Sequence, residues 1–111
     1  MLEYRFELHG NPQFGTLHVS PKLHTGRYSS NITPEVLTPE LKQLSAMLAS
    51  IEGVNCVYGI ANHSIQFDIS PLYPVETILG RAVRVFMAWH GTAESQWRKQ
   101  KTLQPPNYNR Y

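Results

Sequence analysis

The sequence is poor in cysteine, in charge and in long apolar runs. Its 111 residues include one cysteine, Cys56, and only 16% of them are charged. A single thiol excludes an intramolecular disulfide framework and any Cys-x-x-Cys metal site. No apolar run reaches the ~18 residues of a membrane-spanning helix. The first residues alternate instead of forming a secretory signal, so we expect a cytoplasmic protein without membrane partners.

The residues of common catalytic and metal sites are present but dispersed. The five histidines show no His-x-x-x-His spacing, and no glycine-rich phosphate loop occurs. We expect His9 and His18 to form an exposed pair across a hairpin. Cys56 alternates with Val54 and Tyr58, which predicts a buried thiol and not a nucleophile. The sequence therefore predicts no catalytic, cofactor-binding or metal-binding residue and no enzyme, although one sequence does not exclude a site assembled from dispersed residues.

The first half of the chain shows the patterns of a hairpin followed by a helix. Apolar and polar residues alternate over 2–9, and turn-forming residues separate this strand from a second one at about 14–20. Residues 21–37 are predicted to form a long surface connection. Thr38 is a suitable N-cap before a helical apolar stripe, and Gly53 is predicted to end the helix in the left-handed conformation.

A second hairpin and a second helix follow. Strands are predicted at 54–60 and 64–70 around a tip that contains Asn62 and His63, and a helix then runs from Val75 to about Trp89. The β-β-α-β-β-α order predicts a two-layer α+β domain. In it, a four-stranded, mostly antiparallel sheet carries both helices on one face.

The last third of the sequence is basic. From Gly80 onward Glu94 is the only acid, and the bases are Arg81, Arg84, Arg98, Lys99, Lys101 and Arg110. We expect one domain over 1–91, and a short helix within 92–101 followed by a disordered basic and aromatic tail that ends at residue 111.

One segment carries a family resemblance. The run from Leu48 to Gly59, with Ile-Glu-Gly-Val at 51–54, is followed by a returning strand at 64–68, and Asn-Pro occurs at 11–12. This order resembles the N-terminal domain of the NifU-like (Nfu-type) iron–sulfur scaffold family. A helix that ends in Gly-Val before a hairpin also occurs in heavy-metal-associated ferredoxin-like domains, but their Cys-x-x-Cys loop is missing here. The Nfu resemblance implies an accessory domain for partner contact or stability, with no catalytic residue and no cluster ligand of its own.

The leading interpretation is a non-enzymatic adaptor that binds another protein, with a link to iron–sulfur cluster assembly and without a cofactor. Its expected contact surfaces are the hairpin tip, the loop 24–34 and the tail. The alternative is a small basic module that contacts nucleic acid through the second helix and the tail. Across both interpretations, the candidate contact residues are Asn62, His63, Arg81, Arg84, Trp97, Arg98, Lys99 and Lys101.

Overall fold

The computed structural model describes residues 2–23 and 38–105 of the chain. In these ranges the elements follow the predicted β-β-α-β-β-α order, with one further strand at the C-terminal end. Their bounds are β1 Leu2–Leu8, β2 Phe14–Val19, α1 Pro39–Ala49, β3 Val54–Ile60, β4 Ser64–Ile69, α2 Val75–His90, a 3-10 turn Glu94–Gln96 and β5 Trp97–Lys99. The predicted loop 24–34 and the last residues of the predicted tail, 106–111, lie outside the described residues.

The strands form one mixed sheet in the order β3-β4-β2-β1-β5. Neighbouring strands are antiparallel except β5, which runs parallel to β1 and pairs Trp97 with Leu2 and Lys99 with Tyr4. The α+β class and the two helices are confirmed, but the sheet has five strands, not four. The predicted short helix in 92–101 is reduced to one 3-10 turn, because Trp97 buries its ring against the sheet and α2.

Both helices pack on the same face of the sheet. Leu44 and Leu48 of α1, Phe86 of α2, and Leu17 and Ile65 of the central strands are all fully buried in one cluster. The helices therefore cover one face, which we call the core face. The other face carries the alternate strand residues, and no described helix covers it; we call it the open face.

The start of α1 and the turn after it follow the local signals in the sequence. The Thr38 hydroxyl accepts a hydrogen bond from the amide of Leu41, and Pro39 takes the first helical position. The helix ends at Ala49, earlier than predicted. Gly53 has the predicted positive φ, +100°, but it lies in the turn that leads into β3.

Two bulges in β3 overturn the predicted burial of Cys56. Between Val54 and Ile60 the register with β4 shifts twice, so Val54, Val57 and Ile60 face the core at every third position. A simple strand would turn every second residue inward. As a result, Cys56 and Tyr58 are exposed.

Candidate functional site

Two adjoining cavities lie on the open face along β1. Their volumes are about 370 and 690 Å³, and both are lined by Glu3, Arg5 and Gln100. The smaller cavity adds His18 and His63, and the larger one extends along residues 101–104. We call the combined surface the β1 groove. It is the candidate binding surface considered below.

Strand pairing explains how the groove is assembled. Alternation along β1 places Glu3 and Arg5 on the open face, where Arg5 lies opposite His18 of β2. His63 lies next to β2 and His18 because the backbone N–H of Val19 donates to the backbone carbonyl oxygen of His63 at 2.8 Å. On the other side, the backbone N–H of Gln100 donates to the backbone carbonyl of Tyr4 at 2.7 Å and holds the C-terminal segment beside β1.

The two glutamates of β1 that face the open side are both hydrogen-bonded within the chain. Glu3 Oε2 accepts from the side-chain amide of Gln100 at 2.6 Å. Glu7 Oε1 lies 2.7 Å from Nε2 of His18, and each of these side chains is about one-third exposed. His9 instead contacts the Thr16 hydroxyl at 2.7 Å. The expected exposed His9–His18 pair is therefore wrong, because each histidine is half-buried with a different partner.

The bases around the groove, unlike these acids, form no ion pair or side-chain hydrogen bond among the described residues. Arg5, Arg98 and Lys101 are exposed, and the only acid–base side-chain contact within 2–23 and 38–105 is that between Glu7 and His18. Arg98 pairs with Glu3 in the β1–β5 register and therefore lies at the rim of the groove on the open face. Among the residues that the structure describes, the groove thus combines one hydrogen-bonded acid, Glu3, with bases that form no ion pair.

The predicted contact residues are divided among several places. His63 and Lys101 line the groove, and Arg98 lies at its rim. Lys99 lies on the core face, where its Nζ is 4.9 Å from the centre of the Phe6 ring. Asn62 is half-buried at the hairpin tip, and its carbonyl oxygen accepts the Leu23 amide at 2.7 Å.

The α2 arginines and Trp97 lie away from the groove. Arg81 donates to the Glu52 carbonyl oxygen at 3.2 Å, and its guanidinium lies 5.6 Å from the centre of the Tyr73 ring. Arg84 is exposed on α2, the helix that packs on the core face. Trp97 is only 9% exposed, and its Nε1 donates to the Thr92 hydroxyl at 2.8 Å. Its ring therefore has no exposed face on which a nucleic-acid base could stack.

Glu3, Arg5 and Gln100 line both cavities and were not among the predicted contact residues. The alternation of 2–9 correctly placed Glu3 and Arg5 on the polar side of a strand. No local pattern indicated that Gln100 lies beside them, because this contact depends on the parallel pairing of strands about 95 residues apart in the sequence.

A second cluster lies at the other end of the open face. The Phe14 and Tyr58 rings meet edge to face at 5.6 Å, and Asn55 donates to Asp68 at 3.1 Å. Burial raises the pKa of the Tyr58 phenol, with smaller contributions from Asp68 and Cys56. These residues form a small aromatic and polar surface that is separate from the groove.

Within the part of the chain that the structure describes, no three His, Cys, Asp or Glu side chains are close enough together to hold a metal ion. In the same ranges, no helix has the length and apolar character needed to span a membrane. Comparisons with protein-family models, curated proteins and solved structures found no match to this chain. The Nfu-type resemblance therefore stays a prediction.

Proposed function

We propose that this chain is a non-enzymatic accessory module that binds a partner protein in the β1 groove. One observation carries the proposal: the groove joins His63 of the hairpin tip to Gln100 and Lys101 of the C-terminal segment. The hairpin tip and the tail are two of the three contact surfaces that the sequence predicts. Both lie beside the sheet face that no described helix covers, and this supports one binding surface shared by the hairpin tip and the C-terminal segment.

The lining of the groove favours a protein over a small molecule. Small-molecule sites are mostly apolar and enclose the ligand, with a few polar groups that orient it. Here both cavities are open to solvent, and most of the residues that line them have charged or polar side chains from β1, the hairpin tip and the C-terminal segment. An open surface with such groups suits the side chains and backbone of a polypeptide.

The resemblance to the Nfu-type N-terminal domain supports a first class of partner. An accessory domain in that position would contact proteins of iron–sulfur cluster assembly and carry no cluster itself. We therefore propose cytoplasmic iron–sulfur assembly proteins as the first partners to test.

Nucleic-acid binding is the second candidate. The number of exposed bases in α2 and the C-terminal segment favours it: Arg81, Arg84, Arg98, Lys99 and Lys101. Their division between α2, the core face and the open face opposes a single nucleic-acid surface. The burial of Trp97 opposes it, because stacking supplies much of the affinity for single strands. A salt titration with random-sequence DNA and RNA separates the candidates, since phosphate contacts weaken steeply with salt.

Site-specific photocrosslinking tests the proposed function. A benzophenone amino acid at Lys101 lies in the groove, and the same residue at Lys42 lies on the exposed side of α1. We expect the Lys101 probe, but not the Lys42 probe, to crosslink one protein in an extract of cells that express the chain. His63→Ala should reduce that crosslink. Equal crosslinking from both positions, or none from Lys101, would contradict the proposal.

A further inference from the structure

We infer that the β1 groove selects an extended, acidic segment of its partner protein. This inference rests on the proposed function and adds the chemistry of the bound segment. It depends on an asymmetry among the charged side chains of the open face. Within 2–23 and 38–105, Glu3 and Glu7 are hydrogen-bonded to other side chains, whereas the bases beside them form no ion pair with an acid.

The acids of β1 are held by internal hydrogen bonds. Gln100 donates to Glu3 at 2.6 Å, and His18 contacts Glu7 at 2.7 Å. These hydrogen bonds fix the positions of the carboxylates but do not remove their charge. Glu7 lines neither cavity, so Glu3 is the one acid among the described lining residues of the groove, and the bases Arg5, Arg98 and Lys101 outnumber it. This excess of bases favours an acidic segment.

Two of the bases lie diagonally across neighbouring strands. Arg98 is level with Glu3 in the β1–β5 register, so it lies two residues before Arg5 in the strand direction and one strand to the side. This offset corresponds to roughly 7 Å along the strand and roughly 5 Å across it. Acidic side chains at positions i and i+2 of an extended peptide, which are also about 7 Å apart, therefore approach both arginines. Lys101, which lines the larger cavity, provides a third positive group.

The backbone beside the groove favours a polypeptide over a nucleic acid. Among the described strands β5 is the last in the sheet, and the backbone N–H of Gln100 donates to the backbone carbonyl of Tyr4. Because backbone groups alternate along a strand, the N–H and C=O of Lys99 point to the outer edge. A peptide can form strand-type hydrogen bonds with this edge, but a phosphate backbone has no donors for it.

Fluorescence anisotropy with three labelled probes tests the inference. The first is a nonapeptide in which Glu alternates with Thr and Val, the second has Gln in place of every Glu, and the third is single-stranded oligo-dT. At low salt we expect the acidic peptide to bind about tenfold more tightly than its Gln analogue, and its affinity to fall as salt screens exposed charges. The oligo-dT should bind more weakly than the acidic peptide.

A pair of matched charge variants locates the binding surface. The double variant Arg5→Gln with Arg98→Gln should lose about tenfold in affinity for the acidic peptide. The double variant Lys42→Gln with Arg84→Gln removes the same charge from exposed positions on the two helices and should bind within about twofold of the natural chain. Circular dichroism checks that both variants are folded.

The outcomes separate this inference from the proposed function. Equal binding of the two peptides, equal loss in the two double variants, or tighter binding of oligo-dT overturns the acidic selectivity. If the Lys101 crosslink survives such a result, the groove still binds a protein, of different chemistry. If that crosslink is also absent, the proposed function fails together with the inference.

Discussion

The side-chain amide of Gln100 and the carboxylate of Glu3 are joined by a 2.6 Å hydrogen bond between the first strand and the C-terminal segment. We expect Gln100→Leu to lower the free energy of unfolding by about 1 kcal/mol, because a half-buried carboxylate loses its donor. The released Glu3 charge should also weaken binding of the acidic peptide. Urea unfolding and anisotropy measure the two effects.

The exposed Gln104 is the control for this prediction, since Gln104→Leu makes a similar change at the end of the larger cavity. It should leave stability unchanged. The double variant Glu3→Gln with Gln100→Leu completes a cycle that isolates the pair. A coupling energy of zero would show that this contact does not hold the segment to β1.

Gly53 occupies a position that tolerates no side chain. Its φ is +100°, and an added Cβ would lie 2.5 Å from Cδ1 of Ile78. We expect Gly53→Val to cost at least about 2 kcal/mol, since positive φ and a clash with a buried helix residue act together. Chemical denaturation measures the loss.

Gly80 is the matched control for Gly53. It lies inside α2, where an added Cβ meets no atom within 4 Å. Gly80→Ala should therefore raise stability by about 0.5–1 kcal/mol, the usual difference in helix propensity. If both substitutions had the same sign of effect, the explanation for Gly53 would be wrong.

The parts of the fold that could be predicted are those encoded by local patterns. The alternation over 2–9, the Thr38-Pro39 helix start and the positive φ of Gly53 depend only on neighbouring residues, and all three are present. The strand β5 could not be predicted in this way. Its three residues have no strand pattern of their own. They pair with β1 because the Trp97 ring is buried in the apolar core between β1 and α2.

The candidate site illustrates the same limit. His63 and Lys101 could be selected as exposed polar residues, but their neighbours in the groove depend on which strands pair and in which direction. The burial of Cys56 was predicted wrongly for a related reason. A bulge changes which residues face the core. Gly59 lies at the second register shift of β3 and is the type of residue that often marks a bulge, but no such residue marks the first shift, between Val54 and Cys56.

Trp97 anchors β5 to the rest of the core. Its ring packs edge to face against Phe86 at 5.7 Å, and its Nε1 bonds to Thr92. Trp97→Ala should cost about 3 kcal/mol, the scale for truncating a buried aromatic residue, and should increase hydrogen exchange at the Gln100 amide. Trp97→Phe keeps an aromatic ring and should cost less. Unchanged exchange at Gln100 in the alanine variant would show that the strand is held by its backbone alone.

Cys56 is exposed on β3, so we expect its thiol to react in the native protein at close to the rate of a small free thiol. Cys56→Ala should change the free energy of unfolding by less than about 0.5 kcal/mol, as is usual for an exposed position without a special contact. Labelling with a chromogenic disulfide reagent measures the rate. Reaction only under denaturing conditions would restore the buried thiol that the simple alternation predicts.

Tyr58 provides a pH-dependent test of the aromatic cluster. Burial, and then the neighbouring Asp68 carboxylate, raise the pKa of its phenol above the ordinary value of 10.0. The unfolded chain therefore releases this proton at lower pH than the folded one, so the contribution of Tyr58 to stability is complete below about pH 10 and is lost as pH rises through the folded pKa. As pH rises from about 9 to about 11, the free energy of unfolding should accordingly fall less for Tyr58→Phe than for the natural chain, as measured by urea unfolding.

Tyrosinate absorbance measures the pKa directly. The difference between the natural chain and Tyr58→Phe should give a Tyr58 pKa above 10.0, and Asp68→Asn should lower this pKa. A Tyr58 pKa at or below the ordinary value would mean that the Phe14–Tyr58 contact is absent in solution.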